Sequence, residues 1–170
     1  KDYIFANIGF FIILGITSIT IFNSIVYYSL YYTQVISGVL MISTIPVWII
    51  FISSLLNIEK TNIFQIFGVI LSLIGVVFII SKANVDILKN LKFNKGDLTM
   101  IVAMLSWAIY SVLLKKKKYE ISQIALLQIV IICGLIFLIP IYFIEMNMGY
   151  LIKLGKPFYL TLTYVVIFPG

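Results

Sequence analysis

Uncharged stretches dominate this chain. Drawn between polar turns, they cover 4–30, 34–56, 62–81, 98–114, 121–144 and 158–170, and all twelve lysines and six acids fall outside them. A helix crosses the ~30 Å hydrocarbon core of a bilayer with about 20 apolar residues. The first five stretches meet that need, and the last falls a few residues short. Residues 4–56 hold no charge at all, yet as one helix at ~1.5 Å per residue they would be ~80 Å long. They must therefore fold back on themselves, and Tyr31-Tyr32-Thr33-Gln34, beside Tyr27 and Tyr28, is the predicted turn. Tyrosines gather at the membrane–water interface. The runs lack the period-2 polar alternation of barrel strands. The predicted fold is all-α, a polytopic membrane helix bundle.

The polar links organise these spans. Asn57-Ile58-Glu59-Lys60-Thr61-Asn62 reads as a tight turn, with Thr61 or Asn62 placed to cap the 62–81 helix. Residues 82–96, with Lys82, Asp86, Lys89, Lys92 and Lys95, form the longest link and separate two predicted halves, 1–81 and 97–170. Gly96-Asp97 opens the next helix, where a carboxylate accepts from free N–H groups and suits the positive pole of the helix dipole. Lys115 to Lys118 close that helix at the opposite pole. The 121–144 span carries Pro140, and a connector with Lys153, Lys156 and Pro157 leads to the last stretch.

Composition agrees with this reading. Apolar residues make up 62% of the 170, charged residues 11%, and the mean hydropathy is +1.16. Soluble domains keep about a quarter of their residues charged, and disordered chains are polar. A net charge of +6 is a topology signal in such a chain, and no nucleic-acid partner is expected. Lysines divide evenly: Lys1, Lys60 and Lys115–Lys118 lie on one side, the other six on the opposite side. The cluster after residue 114 favours the first side as cytoplasmic. The chain starts at Lys1 rather than Met and ends in an apolar run, so it reads as part of a longer protein.

Little chemistry is on offer. There is no His, and the single cysteine, Cys133, reads as a small apolar residue. No HExxH, no paired intramembrane Asp and no GxSxG elbow occurs. No catalytic residue, metal site or cofactor is expected, and the chain reads as a non-enzyme. Pro46, mid-span with Ser43 and Thr44 beside it, and Pro140, nearer a helix end, are predicted kinks. Gly68, Ser72 and Gly75 make a small-residue stripe suited to close helix packing. Asn23, with Tyr27 one turn on, is a polar residue at depth that faces protein or a cavity rather than lipid. Trp107, Tyr110 and Ser111 complete a set of neutral polar and aromatic groups.

The order of several short motifs resembles a known family. Pro46-Val47-Trp48, then Glu59-Lys60, then Gly68 and Gly75, is similar to the end of an EamA-type repeat of the drug/metabolite transporter superfamily. Gly96-Asp97-Leu98, followed by Trp107-Ala108-Ile109-Tyr110, is similar to the opening of a second such repeat. The spacings are 13 residues from Pro46 to Glu59 and 37 from Glu59 to Gly96. Asn57-Ile58 departs from the pattern, where a small residue is usual before the Glu. The resemblance covers essentially the whole chain. It implies a ten-helix protein of two inverted five-helix repeats, with this chain supplying the third to eighth spans: 1–81 the end of the first repeat, 97–170 the start of the second.

It also implies cytoplasmic termini, hence Lys115–Lys118 inside, and a permease of small organic metabolites working by alternating access in the cell (plasma or inner) membrane. The expected partners are the lipid bilayer and a small organic solute, with a homodimer left open. The expected solute path follows Asn23, Tyr27, Ser43, Thr44, Trp107, Tyr110 and Ser111. The competing reading is a membrane-embedded enzyme or assembly subunit with its catalytic residues outside this segment.

Overall fold

The computed structural model describes residues 2–58, 61–81, 86, 89, 94–116, 121–149 and 155–167. Glu59, Lys60, Lys82, Lys92, Lys117, Lys118 and Lys153 lie outside them. Every regular element among the described residues is helical. The first span comprises α1 (Asp2–Ala6), α2 (Ile8–Gly15), a π-helical segment (Ile16–Ile21) and α3 (Phe22–Leu30). The second comprises α4 (Val35–Ser43) and α5 (Ile45–Leu55). There follow α6 (Ile63–Ser81), α7 (Lys95–Lys116), α8 (Gln123–Asn147) and α9 (Lys156–Ile167). Four segments are long and apolar enough to cross a membrane: Ile8–Leu30, Val35–Leu55, Lys95–Lys116 and Gln123–Asn147. The 19-residue α6 reaches ~28 Å. The chain is a multi-pass, all-α membrane protein.

Local chemistry explains the helix ends. After α5, Asn57 takes a left-handed φ of 51°, its N–H bonding the Ser54 carbonyl at 3.1 Å and the Ile58 N–H the Ser53 carbonyl at 3.0 Å. These two bonds satisfy the last carbonyls of the helix. Two capping boxes start the next helices. Asn62 accepts from the Phe64 N–H at 3.1 Å while Gln65 Oε1 accepts from the Asn62 N–H at 3.0 Å. Asn94 Oδ1 accepts from the Gly96 and Asp97 N–H groups, and Asp97 Oδ2 accepts from the Asn94 N–H at 2.8 Å. The cap of α7 is thus Asn94, with Asp97 as its returning arm.

The chain divides into two compact units, Lys1–Leu138 and Ile139–Gly170. In the first, α7 is the central helix. Its Met100, Ala103 and Met104 pack against Phe22, Ile25, Val26, Met41, Ile45 and Trp48. Further along, Ala108 and Val112 meet Ile52, edged by Trp48, Ile49 and Leu105. A third cluster joins Phe11 and Leu14 to Leu126, Val130 and Cys133, with Tyr110 and Leu113 alongside. The two predicted halves therefore pack directly on each other through α7. In the second unit, the Tyr142–Phe143 rings stand 5.8 Å apart and the Phe158–Tyr159 rings 5.4 Å apart.

Helix association in lipid depends on close backbone approach, because lipid tails are as apolar as leucine. That approach occurs at Gly15 and Gly134. A Cβ on Gly15 would lie 2.6 Å from the Gly134 nitrogen and 2.8 Å from the Val130 carbonyl oxygen. The stripe predicted for this role behaves otherwise. Gly68 and Gly75 have nothing within 4 Å of an added Cβ, and Ser72 is exposed. The two prolines also differ: α4 and α5 separate just before Pro46, whereas α8 runs unbroken through Pro140.

Candidate solute pathway

Two interruptions of regular helix lie near the midpoints of the first two spans, and both border α7. The first is the π-helical segment Ile16–Ile21. Its sequence, Ile-Thr-Ser-Ile-Thr-Ile, places hydroxyls where they compete with backbone amides. Thr17 Oγ1 donates to the Ile13 carbonyl at 2.8 Å and Ser18 Oγ to that of Leu14 at 2.6 Å. Such back-bonding loosens a helical turn, and single π turns recur at functional sites. The carbonyls of the segment find other donors, as burial in lipid demands. Asn23 Nδ2 donates to the Ser18 and Ile19 oxygens at 3.2 and 3.0 Å. Ser106 Oγ of α7 donates to the Thr17 oxygen at 2.8 Å, and Thr20 Oγ1 donates to that of Gly134 at 2.8 Å.

The second interruption is the junction of α4 and α5. Pro46 stands in the first turn of α5, where its missing N–H costs nothing. Ser43 Oγ donates to the Leu40 carbonyl and Thr44 Oγ1 to that of Met41, each at 2.6 Å. Thr44 Oγ1 also accepts from Trp48 Nε1 at 3.2 Å. Trp48 packs on both core clusters beside α7, so the broken turn is clamped to the central helix.

The seven residues expected to follow the solute path fall into three groups. Trp107 and Tyr110 join Phe22 in an aromatic row, with ring centroids 4.6 Å apart for Phe22–Trp107 and 5.3 Å for Trp107–Tyr110. Asn23, Ser43, Thr44 and Ser111 are half-buried and donate to backbone carbonyls of their own spans. Asn23 Oδ1 has no hydrogen-bond donor among the described residues. Tyr27 stands apart, 71% exposed. Much of the room between α3, α4 and α7 is filled by Met100, Ala103 and Met104. No contact joins all seven into one cavity. No group of three His, Cys, Asp or Glu able to hold a metal occurs among the described residues.

Several anchoring contacts were not foreseen from the sequence. Those of Trp48 and Ser106 are the clearest. The polar run Thr17-Ser18-Ile19-Thr20 inside an apolar span was a signal for the π segment. Thr33 and Asp97 form another anchor: the Thr33 hydroxyl donates to Asp97 Oδ1, both residues being buried. Ser29 and Thr99 share a hydrogen bond of 2.7 Å beside them. Gly96 makes this junction possible, since a Cβ there would sit 2.5 Å from the Ser29 oxygen.

Comparison with known proteins gives this geometry a context. Residues 2–81 match the EamA-like transporter family, ending where the first predicted half ends. The chain is 31% identical over 130 residues to an uncharacterized transporter of Archaeoglobus fulgidus, covering 75% of this chain and 43% of that protein. It is 27% identical over 113 residues to the uncharacterized transporter YyaM of Bacillus subtilis, covering 66% of this chain and 37% of the relative. A second Bacillus subtilis protein, the uncharacterized transporter YoaV, is 30% identical over 104 residues, 61% of this chain and 35% of its own length. The chain thus spans less than half the length of these relatives. No solved structure matches it.

Proposed function

From the match of residues 2–81 to the EamA-like transporter family, we propose that the protein carries small organic metabolites across the cell membrane by alternating access. The carrying observation is the pair of mid-span interruptions, Ile16–Ile21 and the Thr44 junction. Transporters place discontinuous helices at the bilayer midplane, where freed backbone groups meet solute and the break lets one segment move against another. Here both interruptions border the same central helix. The polar groups beside them are amides, hydroxyls and aromatic faces, which suit a neutral or zwitterionic organic solute. Inverted five-helix repeats, with the Lys115 end of α7 facing the cytoplasm, complete the reading.

The test is counterflow in vesicles reconstituted with the intact protein, using a panel of neutral, zwitterionic and anionic metabolites. Saturable uptake of at least one neutral or zwitterionic solute, weakened by Asn23→Ala at unchanged protein yield, is expected. Folded protein that moves none of the panel but hydrolyses a membrane substrate would support the enzyme reading instead.

A further inference from the structure

The central helix α7 has 22 residues, so its ends stand ~33 Å apart, at opposite faces of the hydrocarbon core. The two ends are built differently. At the Lys115 end, a cavity of about 200 Å³ lies between α5, the turn before α6 and α7. It runs from Pro46, beside the Thr44 junction, past Ile49 and Ser53 to Thr61 and Lys115. One mid-span interruption therefore communicates with the Lys115 face through open space.

The Asp97 end is shut. A Cβ on Gly96 would lie 2.5 Å from the Ser29 carbonyl oxygen and 2.8 Å from the Thr33 nitrogen. The end of α3 and the turn after it therefore rest directly on the α7 backbone. The Thr33 hydroxyl donates to Asp97 Oδ1, and the Ser29 and Thr99 hydroxyls share a bond of 2.7 Å. Ser29, Gly96 and Asp97 are buried. Deeper in the same seam, Met100, Ala103 and Met104 pack against Phe22, Ile25 and Val26 of α3. So packed, the seam between α3 and α7 admits no solute from this face.

The bonds across this seam can part without orphaning the groups they join. Ser29 Oγ also lies 2.6 Å from the Ile25 carbonyl oxygen, and Thr99 Oγ1 lies 3.0 Å from that of Gly96. Both are acceptors within the residue's own helix. Asp97 keeps the Asn94 N–H of its own cap, and Thr33 stands in the turn after α3, where water can replace the carboxylate. A buried group stripped of its partner is costly, and here separation strips none. Such contacts suit a joint that opens and closes. We infer that Ser29, Thr33, Gly96, Asp97 and Thr99 form a gate: they close one mouth of the solute path, while the cavity from Pro46 to Lys115 holds the other mouth open. This inference rests on the alternating-access reading, and adds to it the groups that must separate for the cycle to proceed.

Cysteine chemistry on the intact protein in vesicles, with Cys133→Ala as background, tests the gate in two ways. A Ser29→Cys/Thr99→Cys pair, whose side chains meet in the wild type, should form a disulfide under copper phenanthroline. Counterflow of any solute that the background protein carries should then stop, and dithiothreitol should restore it. In the second arm, a charged thiol reagent should modify Ser53→Cys in the cavity readily, and Ala103→Cys behind the gate slowly. Adding Thr33→Val removes one bond across the seam and leaves the Asn94 cap intact, so labelling of Ala103→Cys should quicken about fivefold. Full counterflow through the cross-linked pair, failure of the pair to cross-link, or Ala103→Cys labelling that matches Ser53→Cys or ignores Thr33→Val would overturn the gate. A background protein that carries no solute would instead count against the transport reading, and the labelling arm would still decide the gate.

Discussion

Ser106 donates its hydroxyl proton to the carbonyl oxygen of Thr17 across 2.8 Å, tying the central helix to a π turn that leaves that oxygen available. The bond joins residues 89 apart in sequence and crosses the link between the predicted halves. Its removal by Ser106→Ala should cost ~0.6 kcal/mol, the usual size of such interhelical bonds in membranes. Thermal unfolding in detergent would register a small fall in Tm, and Ser106→Thr should restore most of it.

Gly134 has no room for a side chain. A Cβ there would clash with Ile19 and approach the Gly15 carbonyl oxygen to 2.8 Å, and backbone cannot turn aside as a flexible side chain can. Gly134→Leu should therefore destabilise the bundle by at least ~1–3 kcal/mol and sharply lower monodisperse yield in size-exclusion chromatography. Gly75→Ala, whose added Cβ meets nothing within 4 Å, should leave that yield unchanged.

Asp97 accepts from the Asn94 N–H and the Thr33 hydroxyl while buried. Asp97→Ala leaves both donors without their acceptor, a loss of ~1–3 kcal/mol. A double-mutant cycle with Thr33→Val should return a coupling of about 1 kcal/mol, since the two side chains share one bond. Additive losses would contradict the contact.

Pro46 keeps α4 and α5 apart. Pro46→Ala restores an N–H that the first turn of α5 does not need, so stability should change by less than ~1 kcal/mol. If the break serves as a hinge, counterflow should slow severalfold while Tm stays nearly constant. Unchanged transport would remove the break from the mechanism.

Orientation follows from the lysines that close α7. With Cys133 replaced, a Lys116→Cys site should resist an impermeant thiol reagent on intact cells, while Lys89→Cys in the link between the halves should react. The reverse pattern would invert the topology.

Much of this architecture was present in the order of residues alone. Charge-free length determines which segments enter a bilayer, because lipid offers no partner for a charge or a free amide. Asn62 with Gln65, and Asn94 with Asp97, carry capping-box spacing, a local relationship needing no tertiary partner. Pro46 signals its break for the same reason. What stayed hidden depends on neighbours. An all-apolar helix has no polar face to distinguish its lipid side from its protein side, so Gly68 and Gly75 looked as suited to packing as Gly15 and Gly134. Only the crossing of α2 with α8 decided between them. The roles of Asn23 and Ser106 were equally undetermined, since an amide or hydroxyl at depth can hold a solute or bond a backbone carbonyl. The π turn released those carbonyls, and the packing of α7 against it decided that Ser106 would take one of them.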